Sequence, residues 1–341
     1  MMIKCVVWDL DRTLVDGVFL ESDDLRPRDG VLAVLRTLHG RGIVNSIASR
    51  NPPGSASTVL DGLGLGVSFV YPQFGWGVKS DSIRRIADKL RIGLDTFAFV
   101  DDDPYERTEV AAALPEVLVL SPDDIAGALD WPEFSPATVT PEARRRAESY
   151  QEAQERERVS REFTGSKEAF QRYCRTEITI RPATTADVPR LAELSRRTSR
   201  FNSRTTALSE TEFADRLNSS EHTVVCVNLR DRFGDDGIIG GVVVARGSAW
   251  EAELVMMSCR AMGRGVIEAV LSWLGGATRA ADARFVWVPL RVNERNLPLR
   301  LALIAAGYRA EATREGDAIF THEVSEADGE LAAWVKVDTG T

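Results

Sequence analysis

The hydrophobic pattern divides the chain into two stretches, separated by a segment poor in large apolar residues. In the first stretch, short apolar runs alternate with segments whose apolar positions recur every three or four residues. "IKCVVWDL" (3–10), "IVNSIAS" (43–49), "FAFVDDD" (97–103) and "VLVL" (117–120) predict strands. "GVLAVLRTLHGRG" (30–42) and "DSIRRIADKLRI" (81–92) predict helices. This alternation implies a parallel sheet with helices on both faces.

Residues 134–175, including "PEARRRAESYQEAQERERVSREF", predict a proline-marked linker followed by a solvated helix. The pattern then restarts. "EITIRPAT" (177–184) predicts a strand and "TADVPRLAELSRRT" (185–198) a helix with Thr185 as N-cap. "HTVVCVNL" (222–229), "IIGGVVVAR" (238–246) and "EAELVMMS" (251–258) predict an antiparallel meander. A helix from "GVIEAVLSWLGGA" (265–277), a strand from "RFVWVPL" (284–290) and a helix from "NLPLRLALIAAGY" (296–308) follow. The expected class is α/β. A parallel-sheet domain spans 1–130, a largely helical linker 131–175, a domain with a mixed, largely antiparallel sheet 176–325, and a C-terminal tail 326–341.

Charge and composition narrow the function classes. The net charge of −9 leaves no basic excess to release phosphate counterions, so nonspecific nucleic-acid binding is not expected. No apolar run approaches the roughly 18 residues of a membrane span. "MMIKCVVWDLD" has too short an apolar core for a signal peptide. Cys5, Cys174, Cys226 and Cys259 are scattered without a CxxC, which points to reduced thiols and a cytoplasmic location. Cys5 and Cys226 fall in apolar strands and are expected in the core; Cys174, in the linker, looks incidental.

In "VVWDLDRTLVDG" (6–17) an apolar strand runs directly into Asp9 and Asp11. Carboxylates at the C-terminal end of a parallel strand lie at the edge where α/β folds place their sites. Asp9 there can attack phosphorus. Asp11 can protonate the leaving oxygen and then activate water against the aspartyl phosphate. Such chemistry calls for a divalent cation, and the hard ion Mg²⁺ prefers oxygen ligands. Asp101 and Asp102 in "FVDDDP" offer them beside Asp9 and Asp11, with Asp103 a turn residue. Ser49 and Arg50 in "IASRN", with Lys79 in "GWGVKS", supply groups to hold the phosphoryl oxygens.

The order D-x-D, S, K, D-D resembles the haloacid dehalogenase (HAD) superfamily, which implies a Rossmannoid parallel sheet. "VVWDLDRTLVDG", "YPQFGWGVKS" and "FVDDDPYERTEV…LPEV" resemble, more narrowly, the FkbH-like HAD proteins of polyketide pathways. The chain departs from that family at Arg12, usually Asn, and Val15, usually Trp.

A second candidate site lies in "MSCRAMGRGVIEAVL" (257–271). Arg260, Gly263 and Gly265 form R-x-x-G-x-G between a strand and a helix, where backbone N–H groups suit a phosphate. This resembles the loop of GNAT acyltransferases that holds the coenzyme A pyrophosphate. Taken alone, Cys259 at the loop's mouth reads as core packing. "DRFGDDGIIGG" (231–241), "MMSCRAMGRGV" (256–266) and "NERNLPLRLALIAAGY" (293–308) resemble the C-terminal half of the FkbH-like proteins, and so does "RTSRFN" (197–202) except at Arg200, usually Gln.

The resemblance implies a glyceryl transferase and phosphatase. It would take 1,3-bisphosphoglycerate, remove both phosphates and load the glyceryl group onto an acyl carrier protein. Cys259 would hold the acyl group as a thioester, and Arg260, Gly263, Arg264 and Gly265 would bind the carrier's phosphopantetheine. Two other functions stay open. One is a phosphatase on a small phosphorylated acid whose second domain only binds. The other is a carrier-docking module or acetyltransferase with a relic HAD half.

Overall fold

The computed structural model describes residues 2–21, 25–52, 60, 69–136, 138–312 and 317–337. The chain is α/β and forms two compact units, Met1–Glu155 and Arg156–Thr341. The boundary falls inside a continuous helix, Arg146–Glu162, within the segment expected to be a linker. Among the described residues no helix is long and apolar enough to cross a membrane.

The first unit holds a five-stranded parallel sheet of order β5-β4-β1-β6-β7. Its strands are β1 (Cys5–Trp8), β4 (Val44–Ser49), β5 (Gln73–Phe74), β6 (Phe97–Val100) and β7 (Leu118–Leu120). A small antiparallel pair, β2 (Val15–Asp16) with β3 (Arg26–Pro27), was not foreseen in the sequence pattern. Every residue of β1 is buried, and alternate side chains enter different cores. Val6 and Trp8 pack with Leu35 and Leu38 of helix Val31–Gly40; Cys5 and Val7 pack with Ile83, Ile86 and Leu90 of helix Lys79–Leu90. That two-sided burial is why β1 reads as an unbroken apolar run.

Helix Arg146–Glu162 is less solvated than its composition suggests. Ala147 and Tyr150 join the core of the first unit, where Tyr150 meets the Tyr71 ring edge-on and donates to the Leu90 carbonyl at 3.3 Å. Cys174 is likewise buried, and its carbonyl accepts the Arg232 N–H.

The second unit holds an eight-stranded mixed sheet of order β13-β14-β12-β11-β10-β9-β8-β15. Strands β8 (Glu177–Pro182), β9 (His222–Asp231), β10 (Gly234–Ala245) and β11 (Trp250–Met257) form the antiparallel meander. Strand β12 (Phe285–Arg291) pairs parallel with β11 only through Trp250–Val286 and Glu251–Trp287. Beyond that point β11 takes another partner. Met257 N–H donates to the Phe201 carbonyl at 2.9 Å and Ser203 N–H to the Val255 carbonyl at 3.0 Å. Strands β13 (Arg309–Ala312) and β14 (Asp317–Glu323) close one edge. At the other edge, β15 (Val335–Val337) pairs parallel with β8, so the segment expected to be a tail supplies a strand.

Helix Val188–Arg197 is entered through a short 3-10 turn, Thr185–Asp187. Its capping box joins Thr184 and Asp187, one residue earlier than the expected cap at Thr185.

Candidate active site

Parallel pairing brings the C-terminal ends of β1, β4 and β6 to one edge of the first sheet. Asp9 follows β1, Ser49 ends β4 and Asp101 follows β6. The Asp9 N–H donates to the Val100 carbonyl at 2.9 Å and locks two of these ends together. Lys79 opens helix Lys79–Leu90, and its buried ammonium donates to Asp9 and to the Ala48 carbonyl, with Asp101 at 3.4 Å. Four residues read from the sequence as one site, Asp9, Ser49, Lys79 and Asp101, are therefore held at a single strand edge.

Oxygens of Asp9, Asp101 and Asp102 lie within 4.8 Å of one another. Asp101 Oδ1 accepts the Asp103 N–H at 2.9 Å, whereas Asp101 Oδ2 is buried and accepts no hydrogen bond. Burial pushes both Asp9 and Asp101 above the usual carboxylate range, while the Lys79 ammonium pulls each back. Three hard oxygen donors, one of them buried without a hydrogen bond, fit a divalent cation such as Mg²⁺.

The side chain of Asp11 lies outside that trio. Its Oδ1 accepts the Phe19 N–H at 2.7 Å and its Oδ2 accepts the Asn51 amide at 2.9 Å. Asn51 also donates to the Ser49 hydroxyl at 2.9 Å, so one amide fixes both groups. Arg50 pairs with Glu106 at 2.9 Å. Thr13 completes the D-x-D-x-T run by accepting the Asp102 N–H at 3.0 Å. Asp103 is the N-cap of helix Pro104–Ala113, accepting the Tyr105 N–H at 2.8 Å. Arg107 of the same helix donates to the carbonyls of Asp101 and Asp102 at 2.7 and 2.8 Å. Asn51, Glu106 and Arg107 escaped the sequence analysis. The signal for Asn51 was its place just past the end of the strand that carries Ser49.

In the second unit, Cys259 opens a 3-10 turn, Cys259–Ala261, is partly exposed and forms no disulfide. Gly263 and Gly265 take φ of 80° and 78°, left-handed values that a side chain would strain. Gly265 is the N-cap of helix Val266–Ala280. The two arginines of this loop differ from a simple anion cradle. Arg264 is buried and donates to Asp236 and, at 2.7 Å, to Asp231. Asp231 also takes Arg156 at 2.7 Å. Burial opposes the charge on Asp231, but the Arg156 hydrogen bond and the two guanidinium charges hold its pKa below the usual range. Arg264 thus ties the loop to the β9–β10 hairpin. The Arg260 side chain is 5% exposed and 3.8 Å from Asp236, and its Nη1 makes no hydrogen bond.

No family model matches the chain, and no curated protein matches it. Solved structures do. The N-terminal part of a Bacteroides fragilis protein containing a phosphatase domain, complexed with Mg, is 28% identical, with a TM-score of 0.34; the match covers 38% of this chain and 39% of that one. A protein from Desulfovibrio desulfuricans assigned to the GNAT family of acetyltransferases is 16% identical over 43% of this chain and 99% of that chain, with a TM-score of 0.36. An N-acetyltransferase from Thermoplasma acidophilum in complex with coenzyme A is 13% identical over the same 43% share and 99% of its own length, with a TM-score of 0.35.

Proposed function

We propose that the first unit is a Mg²⁺-dependent HAD-type phosphatase and that the chain as a whole is a glyceryl transferase acting on 1,3-bisphosphoglycerate. One observation carries the first half of this reading: Asp9, Lys79, Asp101 and Asp102 meet at one strand edge, with Ser49, Asn51 and Asp11 linked beside them.

In the proposed reaction an Asp9 carboxylate oxygen attacks phosphorus and the ester oxygen leaves. Asp11 protonates that oxygen, so the products of this half are the alcohol and an aspartyl phosphate. Asp11 then takes a proton from water, which attacks the same phosphorus and releases phosphate. The two hydrogen bonds on Asp11 hold its carboxyl in one orientation for both transfers. The Lys79 ammonium, with the Ser49 hydroxyl, balances the phosphoryl oxygens. Asp9, Asp101 and Asp102 would hold Mg²⁺, which supplies charge neutralisation at those oxygens.

The C1 acyl phosphate needs no such apparatus. The Cys259 thiolate can attack C1, forming the thioester and expelling phosphate. The phosphopantetheine thiol of an acyl carrier protein would then collect the glyceryl group, with Arg260, Gly263 and Gly265 as the arm's phosphate site. The ion pairs of Arg264 favour a second reading, in which this loop only binds and the chain is a phosphatase on a small phosphorylated acid.

Intact-protein mass spectrometry separates the two. The protein is mixed with Mg²⁺ and 1,3-bisphosphoglycerate made in situ, with and without a phosphopantetheinylated carrier. A glyceryl adduct absent from Cys259→Ala and passed to the carrier supports the transferase. Phosphate release with no adduct on either protein leaves the phosphatase alone.

A further inference from the structure

Helix Pro104–Ala113 turns two glutamates toward the carboxylate site that the reaction above does not use. Glu106, in its first turn, is 5% exposed and pairs through Oε1 with Arg50 Nη2 at 2.9 Å. Its Oε2 is buried and accepts no hydrogen bond. Glu109, one turn on, accepts the Ser80 hydroxyl at 2.5 Å and the Ser80 N–H at 3.2 Å. Ser80 follows Lys79, so one helix face braces the chain at both cations of the site.

A buried carboxylate is costly, and a single surface ion pair repays little of that cost. Glu106 is therefore poorly explained by stability alone. Its placement makes sense if the Arg50 guanidinium must stay in one position. The Arg50 side chain remains 40% exposed while its Nε is buried, so a planar fork is fixed on one edge and accessible on another. Such a fork recognises carboxylate or phosphate with defined geometry. In the proposed reaction the transferred phosphoryl group is met by Lys79, Ser49 and a cation held at Asp9, Asp101 and Asp102. Arg50, next to Ser49, is left to read something else.

We propose that Glu106 is a positioning residue that holds Arg50 as the selector for phosphate monoesters carrying a second anionic group. This rests on the phosphatase reading for its substrate class. The test is a binding measurement, so that it does not depend on turnover. Glycerate 3-phosphate and glycerol 3-phosphate differ by one carboxylate. Each is titrated calorimetrically, with Mg²⁺, into full-length Asp9→Asn and into the same protein carrying Arg50→Ala, Glu106→Ala or Glu106→Gln.

The Asp9→Asn parent should bind the glycerate ester about tenfold more tightly or better, the scale of one charge-assisted hydrogen bond. Arg50→Ala and Glu106→Ala should close the gap by weakening the glycerate ester while leaving glycerol 3-phosphate within about twofold. Glu106→Gln, which keeps an acceptor for Arg50, should restore most of it. Equal affinities in the parent, no binding of either ester, a gap that survives Arg50→Ala, or a Glu106→Ala that weakens both esters alike would overturn the proposal. Phosphate release by the wild type is measured in parallel. No release with the gap intact sinks the phosphatase reading and leaves this selector; release with no gap does the reverse.

Discussion

Saturating Mg²⁺ should stabilise this protein through its three-carboxylate site, and the size of the effect can be bounded. Asp9, Asp101 and Asp102 bring three negative charges within 4.8 Å, against one ammonium, Lys79. Burial already disfavours the charged forms of Asp9 and Asp101, so the native state carries this repulsion without a cation. An ion that binds only the folded state at about 100 times its Kd adds about 2.7 kcal/mol. For a unit of the size of Met1–Glu155, each kcal/mol moves the melting temperature by about 2–4 °C, so the expected rise is about 5–11 °C. The perturbation is Asp101→Asn, which keeps the shape and removes one charge. In chelator its melting temperature should not fall, because a repulsive charge is gone. On adding Mg²⁺ it should gain less than half of the wild-type rise. Scanning calorimetry of the full chain, in chelator and in Mg²⁺, reads both quantities. A rise of equal size in wild type and Asp101→Asn would refute the reasoning, as would no rise in wild type.

Two further expectations concern the second unit. Asp187 is held down to about 2, first by the Arg181 hydrogen bonds at 2.8 Å and then by the Thr184 cap. Against an unfolded value near 3.8 this contributes about 2 kcal/mol, present above about pH 4 and lost as pH falls toward 2; urea melts of Asp187→Asn should lose that amount at pH 7 and show a flatter profile across that window. Arg264→Leu should cost about 3–5 kcal/mol in the same assay, because Asp231 and Asp236 are left buried with less counter-charge. A variant that keeps its stability but loses affinity for phosphopantetheine would instead restore Arg264 to the binding loop.

What the sequence revealed follows a physical division. Asp9, Ser49 and Asp101 were legible because each ends a short apolar run, and parallel pairing sends all such ends to one edge. Lys79 was legible by its order between them. Glu106 and Arg107 were not, because their roles depend on how helix Pro104–Ala113 packs against chain more than fifty residues away at Arg50 or on the carbonyls at its own start. Arg264 looked like an anion ligand from its loop. Its partners, Asp231 and Asp236, are brought back to it only by the β9–β10 hairpin. Helix Arg146–Glu162 looked solvated because its buried positions, Arg146, Ala147, Ser149 and Tyr150, are half polar and only Ala147 and Tyr150 join the apolar core of the first unit. The tail strand Val335–Val337 gave no signal, since three residues are too few for a period to show.

The proposed selector role of Arg50 would also order the chemistry that the proposed function leaves open. A C1 acyl phosphate carries an anion that a fixed guanidinium can read, whereas a C1 thioester is neutral there. If Arg50 selects for the second anion, the first unit acts best on the C3 phosphate before C1 is transferred to sulfur. Hydrolysis at C3 then releases phosphate and leaves glyceryl 1-phosphate, whose acyl phosphate is still activated for attack by the Cys259 thiolate. The reverse order would present the first unit with a thioester lacking the group that Arg50 holds, and would forfeit the about tenfold discrimination of one charge-assisted contact. In the mass-spectrometric experiment this predicts an unphosphorylated glyceryl adduct from the earliest time points. An early adduct heavier by one phosphate, converting later to the lighter species, would reverse the order and count against Arg50 as the selector.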